Sequence, residues 1–586
     1  MDNNPKMKKS TKYLLIGTLV LFLSVLGASI AYYLARVSGN LSGRAAGTEL
    51  AIQVTKLSSN ATGDLIPLDN DLETLQLAAA GYQDKGACVD INGYSVCQIY
   101  KITVTNNGSI DLKMNGTVTL SGQNTLNIDC AKMDDESTIT NNNSCKSGMF
   151  VSGDTLAANN HNDYYVMVYI NNLDEPQTDS GEFTGVVTFT TEDGRKVKGR
   201  FTKPFNLVER ITKIYNDDTN KSEVENNSIK YNYATTTKLM KDRLGGTSGD
   251  KESGNIRYFG AEPNNWVDIG DKTEVAEERG NWLSAGAPFA DETACNNWAT
   301  SENITNEQIQ QMTNNNYTTV SDFCSVSTVP AGTPILWRII GVFDGKLRVV
   351  RDESIGGYSW DTSRINEWSQ SDIMKLLNPG YDDNLDKDEE DNDITVNNSL
   401  YWNSGSGNCY TDVNNNTVAC DFTNTGLSDE AKEYVVDQTV NLGGINWGTE
   451  RESYSNQYYN LERGSTVIQN PSDGIARTLS WTGKVGLISP SDYGYATDFT
   501  KCTNTLYNYN SNECKTNDWL FSNYWYWTMS PDSSCAHCVW NVDSDGRVNY
   551  YHVHYNRGVR PVLTLSSGAL AETGTGSKSD PYVLTS

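Results

Sequence analysis

The chain has 586 residues and a formal net charge of −27. Several domains are expected at this length, because a single hydrophobic core stops growing at about 250–300 residues. The acidic balance and the absence of a basic stripe exclude a typical nucleic-acid-binding protein, since phosphate recognition depends on clustered Lys and Arg. Asn, Gly, Ser, Thr and Tyr are abundant while helix formers are scarce, which predicts a mainly β or α+β fold.

Residues 1–12 carry a group of lysines and precede an apolar run over 13–35. About 20 apolar residues are enough to cross a bilayer as a helix. The basic flank predicts a cytoplasmic tail over 1–12, a single-pass anchor at the cell membrane and an extracellular remainder. A cleaved signal peptide is the alternative, because residues 29–31 (SIA) resemble a small-residue cleavage site.

The twelve cysteines follow one another along the chain as close neighbours. Such spacing in a loop-rich chain predicts local disulfides and an oxidising compartment, with buried reduced cysteine as the alternative. The expected pairs are Cys88–Cys97, Cys130–Cys145, Cys295–Cys324, Cys409–Cys420, Cys502–Cys514 and Cys535–Cys538.

Residues 47–203 alternate between apolar and polar side chains in short segments separated by turns. This pattern predicts an immunoglobulin-like β-sandwich, with turns at Asn106–Gly108 and at Asp193–Gly194. The strands are expected at 100–104, 112–120, 164–170 and 185–191. The run YKITVTNNGSIDLKMNGTVTL after an apolar segment resembles the exported TasA/camelysin proteins of Gram-positive bacteria. That resemblance implies a surface or matrix protein, and we interpret this domain as a spacer without a ligand of its own.

A junction is predicted over 204–254. Its stretch 216–227 is polar, and 245–254 is rich in Gly, Ser and charge. We interpret this interval as a linker that contains a short helix over 203–214.

The last domain is expected over 255–586. A hairpin is predicted over 335–350 about Asp344–Gly345, and a short helix over 371–377 with Ser369 or Ser371 as its N-cap. A second helix is predicted over 428–439, with Ser428 as its N-cap. The result is an α+β domain with a large share of loops.

The stretch 519–565 contains three of the four histidines and no Lys, Glu or Gln between 521 and 560. If 537–543 and 548–555 are paired strands with a turn at Asp545–Gly546, alternate residues share one face. Tyr, Asn, Ser and His on such a face combine stiff contact area with adaptable hydrogen bonding, as in antibody loops. The stretch therefore predicts a binding face, and an ordinary exposed hairpin is the alternative.

The segments PILWRIIGVFDGKLRVV, WTGKVGLISPSDYGYAT, WTMSP and GVRPVLTL resemble an uncharacterised exported domain similar to the C-type-lectin-like fold of formylglycine-generating enzymes. The ending RGVRPV also resembles variable proteins diversified by retroelements at Asn codons. That resemblance implies a variable region over 519–565 in which Trp525, Trp527, Met529 and Trp540 stay unchanged. The candidate variable and ligand-binding positions are Asn523, Tyr524, Tyr526, Ser533, Cys535, His537, Asn541, Asp543, Asn549, Tyr551, His552, His554 and Asn556.

No cofactor or metal is expected, although two weaker metal sites are considered. Zinc is one alternative near His552 and His554, with His537 and Cys535 or Cys538 completing a tetrahedral set. Calcium is the other, at the acidic loop 382–393, which begins like an EF-hand but has Lys387 at the position of the turn glycine. A redox role for the CxxC at 535–538 is disfavoured, because its surroundings are strand-like.

The function predicted from the sequence is binding of an extracellular protein or glycan at the cell surface. No catalytic residue is predicted, since no nucleophile elbow, P-loop, dinucleotide fingerprint or HExxH motif occurs. The alternatives are a structural envelope protein and an exported enzyme of the formylglycine-generating type.

Overall fold

The computed structural model divides the chain into two compact units, Met1–Pro204 and Phe205–Ser586. The first apolar run and several loops lie outside the part of the chain that the structure describes. The described residues are 41–44, 50–57, 65–82, 85–122, 126–146, 148–172, 183–202, 204–219, 222–225, 228–230, 237–243, 255–271, 277–282, 289, 292–312, 317–330, 333–378, 384–387, 393–396, 406–410, 417–421, 427, 429–464 and 474–585.

The first unit consists of strands and one described helix, α1. In chain order its elements are β1 (Leu41–Arg44), β2 (Leu50–Lys56), α1 (Leu72–Ala80), β3 (Gln98–Asn106), β4 (Leu112–Gly122), β5 (Ile128–Met133), β6 (Gly148–Leu156), β7 (Asn160–Ile170), β8 (Phe183–Thr191) and β9 (Lys196–Arg200).

Two antiparallel sheets enclose the main core of this unit. One has the order β1-β2-β3-β7-β5 and the other β6-β4-β8-β9. Apolar side chains from both sheets, among them Ile52, Val104, Val118 and Phe189, form one buried cluster. The four strands predicted from alternation are confirmed, because every second side chain points into this core.

Two turns and one close approach shape this unit. The Asn106 amide donates to the main-chain oxygens of Ile110, Leu156 and Ala157, which holds the predicted turn in place. The β8–β9 turn is also confirmed, with Gly194 at φ 86°. A Cβ atom on Gly199 would lie 2.5 Å from Val54 Cγ2, so only glycine fits at this contact between the two sheets.

The second unit is larger and mixes strands with short helices. Its first half contains β10 (Phe205–Asn206), α2 (Leu207–Asp217), β11 (Ser222–Glu225), β12 (Ser228–Lys230), β13 (Leu239–Arg243), β14 (Asn255–Tyr258), β15 (Trp266–Asp268), β16 (Glu277–Gly280), α3 (Glu292–Ser301), α4 (Asn306–Met312), α5 (Val320–Phe323), β17 (Val326–Val329), β18 (Trp337–Phe343), β19 (Lys346–Arg351), β20 (Gly357–Ser359), a 3₁₀ turn (Trp368–Gln370) and α6 (Asp372–Leu377).

The second half of this unit carries the C-terminal strands. It contains β21 (Asn384–Lys387), β22 (Asp393–Val396), β23 (Ser406–Tyr410), β24 (Thr417–Asp421), α7 (Asp429–Tyr434), β25 (Val435–Val436), β26 (Gln438–Asn441), α8 (Trp447–Glu450), α9 (Ser455–Glu462), β27 (Ser480–Gly483), β28 (Val485–Gly486), α10 (Pro490–Tyr495), a 3₁₀ turn (Leu506–Asn508), α11 (Asn512–Lys515), β29 (Tyr526–Pro531), β30 (Cys538–Val542), β31 (Val548–His552), β32 (Asn556–Gly558), β33 (Val562–Leu565), β34 (Leu570–Thr573) and β35 (Tyr582–Leu584).

Two sheets of the second unit matter for the site. The larger one is built around β18 and β19, with β33 paired to β19, β25 and β28. The smaller one has the order β20-β32-β29-β30-β31. One hydrophobic cluster draws on both, including Trp337, Val349, Trp527 and Trp540. The fold is therefore mainly β, as predicted.

The predicted linker over 204–254 is wrong where the structure describes it. Helix α2 buries Leu207, Ile211 and Tyr215 in the core of the second unit. In β13, buried Asp242 pairs with buried Arg257, which also donates to Asp492 at 2.7 Å. Polar composition misled the prediction, because these polar groups are paired inside the domain and not solvated.

Three local predictions for this unit have different outcomes. The hairpin about Asp344–Gly345 is confirmed as β18–β19. Helix α6 is confirmed, and Ser371 is its N-cap. The helix predicted over 428–439 ends at Tyr434, because the β-branched pair Val435–Val436 adds to the sheet beside β33 instead.

Disulfides join Cys88–Cys97, Cys130–Cys145, Cys295–Cys324, Cys502–Cys514 and Cys535–Cys538, as predicted. The side chains of Cys409 and Cys420 lie outside the described residues, as does the whole of the predicted anchor 13–35. Among the residues that are described, no helix combines the length and apolarity needed to span a bilayer. Within the acidic stretch 382–393 the structure describes Asn384–Lys387 and Asp393, which lie in the paired strands β21 and β22, and their side chains are not described.

Candidate functional site

The C-terminal stretch forms the hairpin expected from the sequence. Strand β30 pairs antiparallel with β31, from Cys538 opposite His552 to Val542 opposite Val548. The turn between them is closed by two hydrogen bonds, from Gly546 N to Asp543 O and from Asp543 N to Arg547 O, with Gly546 at φ 93°. This hairpin forms one side of the smaller sheet and positions the side chains considered below.

Four of the predicted binding positions are buried and therefore do not lie on an exposed face. Tyr524, Tyr526, Ser533 and Asn541 expose 2%, 2%, 4% and 0% of their surface. The Tyr526 hydroxyl donates to Leu520 O, and Ser533 N donates to Ile445 O. Strands β29 and β30, which carry Tyr526 and Asn541, are buried along their whole length, and Tyr524 and Ser533 are buried in the segments that flank β29, so these four positions do not form part of an exposed binding face.

Tyr524 is the clearest of these corrections. Its ring lies among aromatic side chains of the disulfide-linked segment that carries α3 and α5. Ring centroids lie 5.6 Å away at Phe289, 5.7 Å at Trp298 and 6.3 Å at Phe323. Burial raises the pKa of Tyr524 well above its ordinary value. Tyr524 thus joins that segment to the rest of the second unit.

The other predicted positions are partly or fully accessible, and several contact one another in a continuous row. The Arg557 guanidinium lies 5.1 Å from the Trp525 ring centroid and 4.0 Å from that of Tyr551. Tyr551 contacts Tyr555 at 5.1 Å, and Tyr555 contacts His554 at 4.4 Å. We call this set, completed by His552 and His537, the aromatic row.

The end of the aromatic row consists of three imidazoles. The His552 ring centroid lies 5.8 Å from that of His554 and 4.8 Å from that of His537. Burial lowers the pKa of His552 and of His554, and the positive charge of Arg364 lowers both further. These two rings are therefore largely neutral at pH 7 and available as hydrogen-bonding groups.

The row is exposed enough to meet a ligand. Trp525 exposes 37% of its surface and Tyr555 47%. Large exposed aromatic side chains are uncommon among the described residues of this unit, and here two of them are linked through Arg557 and Tyr551. Asn556 is exposed at the edge of the row, while Asn523 and Cys535 are partly buried nearby in sequence.

A carboxylate lies close to the row in sequence and is held by two amides. Asn541 and Asn549, paired across β30 and β31, donate to the two carboxylate oxygens of Asp543 at 2.8 Å and 3.0 Å. Burial is the main cause that raises the pKa of Asp543. The polar groups at these positions are therefore bonded to one another, with Asn541 fully buried and Asp543 and Asn549 partly buried.

The turn that carries His537 is held by side chains from distant parts of the chain. The Asn366 amide donates to the main-chain oxygens of Asp532, Cys535 and Cys538 at 2.9–3.2 Å. Arg477 donates to Ala536 O at 2.9 Å. The Cys535–Cys538 disulfide closes the same turn. His537 is therefore presented by a fixed loop.

Sequence reasoning missed Arg557 and misjudged Trp525. Arg557 and Arg560 lie in the same RGVR run of the sequence. Arg557 is partly buried beside the aromatic row. Arg560 is buried and donates to the main-chain oxygens of Arg351 and Leu520. Trp525 was expected only as an unchanging position, yet its ring is the exposed start of the row. No periodic signal distinguishes these residues, because Trp525 lies just before β29 and Arg557 lies in β32, which has 3 residues.

Comparisons with known proteins identify no function. Residues 461–567 match a domain of unknown function (DUF6273). The chain is similar, at 16% identity and TM-score 0.15, to the cupredoxin domain of amoB from Nitrosocaldus yellowstonii, covering 26% of this chain and 81% of that one. It is also similar to the yeast GGA1 GAE domain, at 11% identity and TM-score 0.14, covering 28% and 97% of the two chains. Likenesses this weak support no conclusion about fold or function. No curated protein matches the chain.

Proposed function

We propose that the chain is a cell-surface ligand-binding protein and that the aromatic row is its binding surface. The observation that carries this proposal is the continuity of the row. Contacts from Trp525 through Arg557 and Tyr551 to Tyr555 place two exposed aromatic rings and a cation side by side. Tyr, Trp and Arg are the residue types that contribute most to binding energy at interfaces.

The support beneath the row also favours binding. Val539, Trp540 and Val542 of β30 are fully buried beneath and beside it, so the strands cannot shift without disturbing a packed core. Aromatic rings held this way lose little conformational entropy when a ligand docks on them. The ligand class is an extracellular protein or a glycan, both of which use exposed rings and nearby hydrogen-bonding groups.

In this proposal the rest of the chain displays the aromatic row on the cell surface. In this proposal residues 13–35 anchor the protein in the membrane, the immunoglobulin-like first unit is a spacer, and the second unit is C-type-lectin-like. Diversification by a retroelement would then act on the accessible positions of 519–565, which excludes the four buried ones. The described cysteines are joined in disulfides, which favours binding over the thiol-dependent oxidase alternative.

The proposal is tested by comparing two exposed tyrosines of the second unit. Tyr555 exposes 47% of its surface within the row, and Tyr454 exposes 44% outside it. The full chain and the variants Tyr555→Ala and Tyr454→Ala are applied to arrays of purified glycans and of extracellular protein domains. We expect Tyr555→Ala to weaken the signal at least tenfold and Tyr454→Ala to leave it unchanged.

Equal behaviour of the two variants would contradict the assignment of the row. Signal confined to the glycan array would identify a lectin-like activity, and signal confined to the protein array would identify a receptor-like one. Absence of any signal that depends on Trp525, Arg557 or Tyr555 would overturn the proposal.

A further inference from the structure

Three of the four histidines of the chain meet at one end of the aromatic row. His552 is the central ring, with His537 on one side at 4.8 Å and His554 on the other at 5.8 Å between ring centroids. They come from two separate segments, the turn before β30 and the end of β31. Their proximity therefore results from the pairing of these strands and not from a run of histidines in the sequence.

These distances suit coordination of one metal ion. A Zn–N bond is about 2.1 Å long, so an imidazole centroid lies roughly 3.2 Å from a bound zinc. Two imidazoles at the tetrahedral angle then have centroids about 5 Å apart. The two measured separations lie on either side of this value, and coordination of one ion requires the rings of the exposed His537 and the partly buried His554 to rotate about their side-chain bonds.

The protein holds two of the three donors in place. Cys538 lies opposite His552 in the β30–β31 pairing, and the Cys535–Cys538 disulfide closes the turn that carries His537. His554 Nδ1 is shielded from solvent and has no hydrogen-bond partner among the described residues. A buried nitrogen without a hydrogen-bond partner lowers the stability of the folded state. Coordination of a cation by this imidazole would offset that loss.

The donor chemistry selects the class of ion. Cys535 and Cys538 lie close enough to His537 to suggest a sulfur-containing set, but their sulfur atoms are joined to each other and offer no thiolate. Three imidazoles with an open fourth position suit Zn²⁺, Cu²⁺, Ni²⁺ or Co²⁺. They do not suit Ca²⁺ or Mg²⁺, which require oxygen ligands. The neighbouring positive charge of Arg364 opposes the cation, so the binding is expected to be reversible by chelators.

We propose that His537, His552 and His554 form a divalent transition-metal site with an open coordination position at the end of the aromatic row. This inference goes beyond the proposed ligand binding and stands independently of it, because metal binding is measured on the protein alone.

The test uses the full chain with added ZnCl₂ in isothermal titration calorimetry, and with CoCl₂ in visible absorption. We expect one ion per chain and, for cobalt, the intense bands of a tetrahedral site. His552→Ala should abolish both signals, and His537→Ala should weaken zinc binding at least tenfold. His161→Ala is the matched control, since His161 is the remaining histidine and lies exposed in the first unit.

Unchanged zinc binding in His552→Ala and His537→Ala would show adventitious surface binding and would overturn the site. The same conclusion would follow if His161→Ala removed the signal. Far-ultraviolet circular dichroism of each variant checks that loss of metal does not reflect unfolding, and His537→Ala serves best here because His537 is exposed. Failure of this site would leave the array experiment with Tyr555 unaffected.

Discussion

Tyr524 offers the sharpest test of which side chains in the C-terminal stretch belong to the core. Its ring packs against Phe289, Trp298 and Phe323, and its buried hydroxyl has no hydrogen-bond partner among the described residues. The two parts of this side chain therefore have opposite effects on stability. The ring stabilises the contact with the segment that carries α3, and the hydroxyl weakens it.

Two substitutions separate these effects. Tyr524→Phe keeps the ring and removes an unpaired polar atom whose burial costs about 1–3 kcal/mol, so it should raise the free energy of unfolding by about 1 kcal/mol. Tyr524→Ala removes a large buried ring and should lower the free energy by about 3–5 kcal/mol. Tyr555→Ala is the control, because loss of an exposed ring should change the free energy by no more than about 0.5 kcal/mol.

Amide hydrogen exchange followed by mass spectrometry reports on this contact directly. Because about 1.4 kcal/mol corresponds to a tenfold change in an equilibrium constant, Tyr524→Ala should accelerate exchange in Glu292–Ser301 by roughly 100-fold or more. Tyr524→Phe should slow exchange there, and Tyr555→Ala should leave it unaltered. If Tyr524→Ala left exchange in this helix unchanged while ligand binding was lost, Tyr524 would be a surface residue and the reasoning would be refuted.

Three further predictions concern other parts of the chain. Burial raises the pKa of the Asp518 carboxyl from 3.8 to about 7, so the folded state binds this proton more tightly than the unfolded state does. The free energy of unfolding should therefore fall as pH rises from about 4 to 7. Urea titrations of Asp518→Asn should show a shallower fall with pH than those of the unchanged protein, and an identical dependence on pH would contradict the raised pKa. Gly199→Val should destabilise the first unit by more than about 2 kcal/mol, because its Cβ would meet Val54 at 2.5 Å. Gly148→Val controls for the added volume, since the nearest atom to its Cβ would be Lys146 O at 3.8 Å. Equal urea midpoints for the two variants would argue against the close approach. Asn366→Ala removes three hydrogen bonds to the 532–538 turn. The Cys535–Cys538 disulfide of this variant should therefore react faster with dithiothreitol than that of the unchanged protein. Equal reaction rates would show that the Asn366 amide does not hold the turn.

Local patterns predicted much of the local structure. Alternation identified the strands β3, β4, β7 and β8, since alternate side chains of each point into the main core of the first unit. Glycine with a preceding Asp or Asn identified the turns, because the left-handed backbone at Gly194 and Gly546 favours those residues. Close spacing along the chain identified the disulfides, because cysteines that are neighbours in the sequence pair with each other.

Long-range packing is where prediction from the sequence failed. Tyr524 and Asn541 have residue types typical of a surface, but both are buried. Segments more than a hundred residues earlier pack against this stretch, as Phe323 does against Tyr524 and Asn366 against the 532–538 turn. The polar composition of 216–227 and 245–254 predicted a junction over 204–254, yet within that interval Asp242 is buried and pairs with Arg257 in the interior of the second unit. The sequence pattern shows which residue types alternate, but it does not show which distant segments of the chain pack against them.

The central claim is that the aromatic row binds the ligand and that the buried positions support the fold. It is tested most directly by replacing each residue of 519–565 with Ala in the displayed full chain and measuring two quantities per variant. One is display of the folded protein, and the other is binding to the probe that gives the strongest array signal. Losses of binding with normal display are predicted at Trp525, Tyr551, Tyr555 and Arg557, and losses of display at buried positions such as Tyr524. Binding losses that cluster away from the row, with the row itself insensitive, would contradict the account.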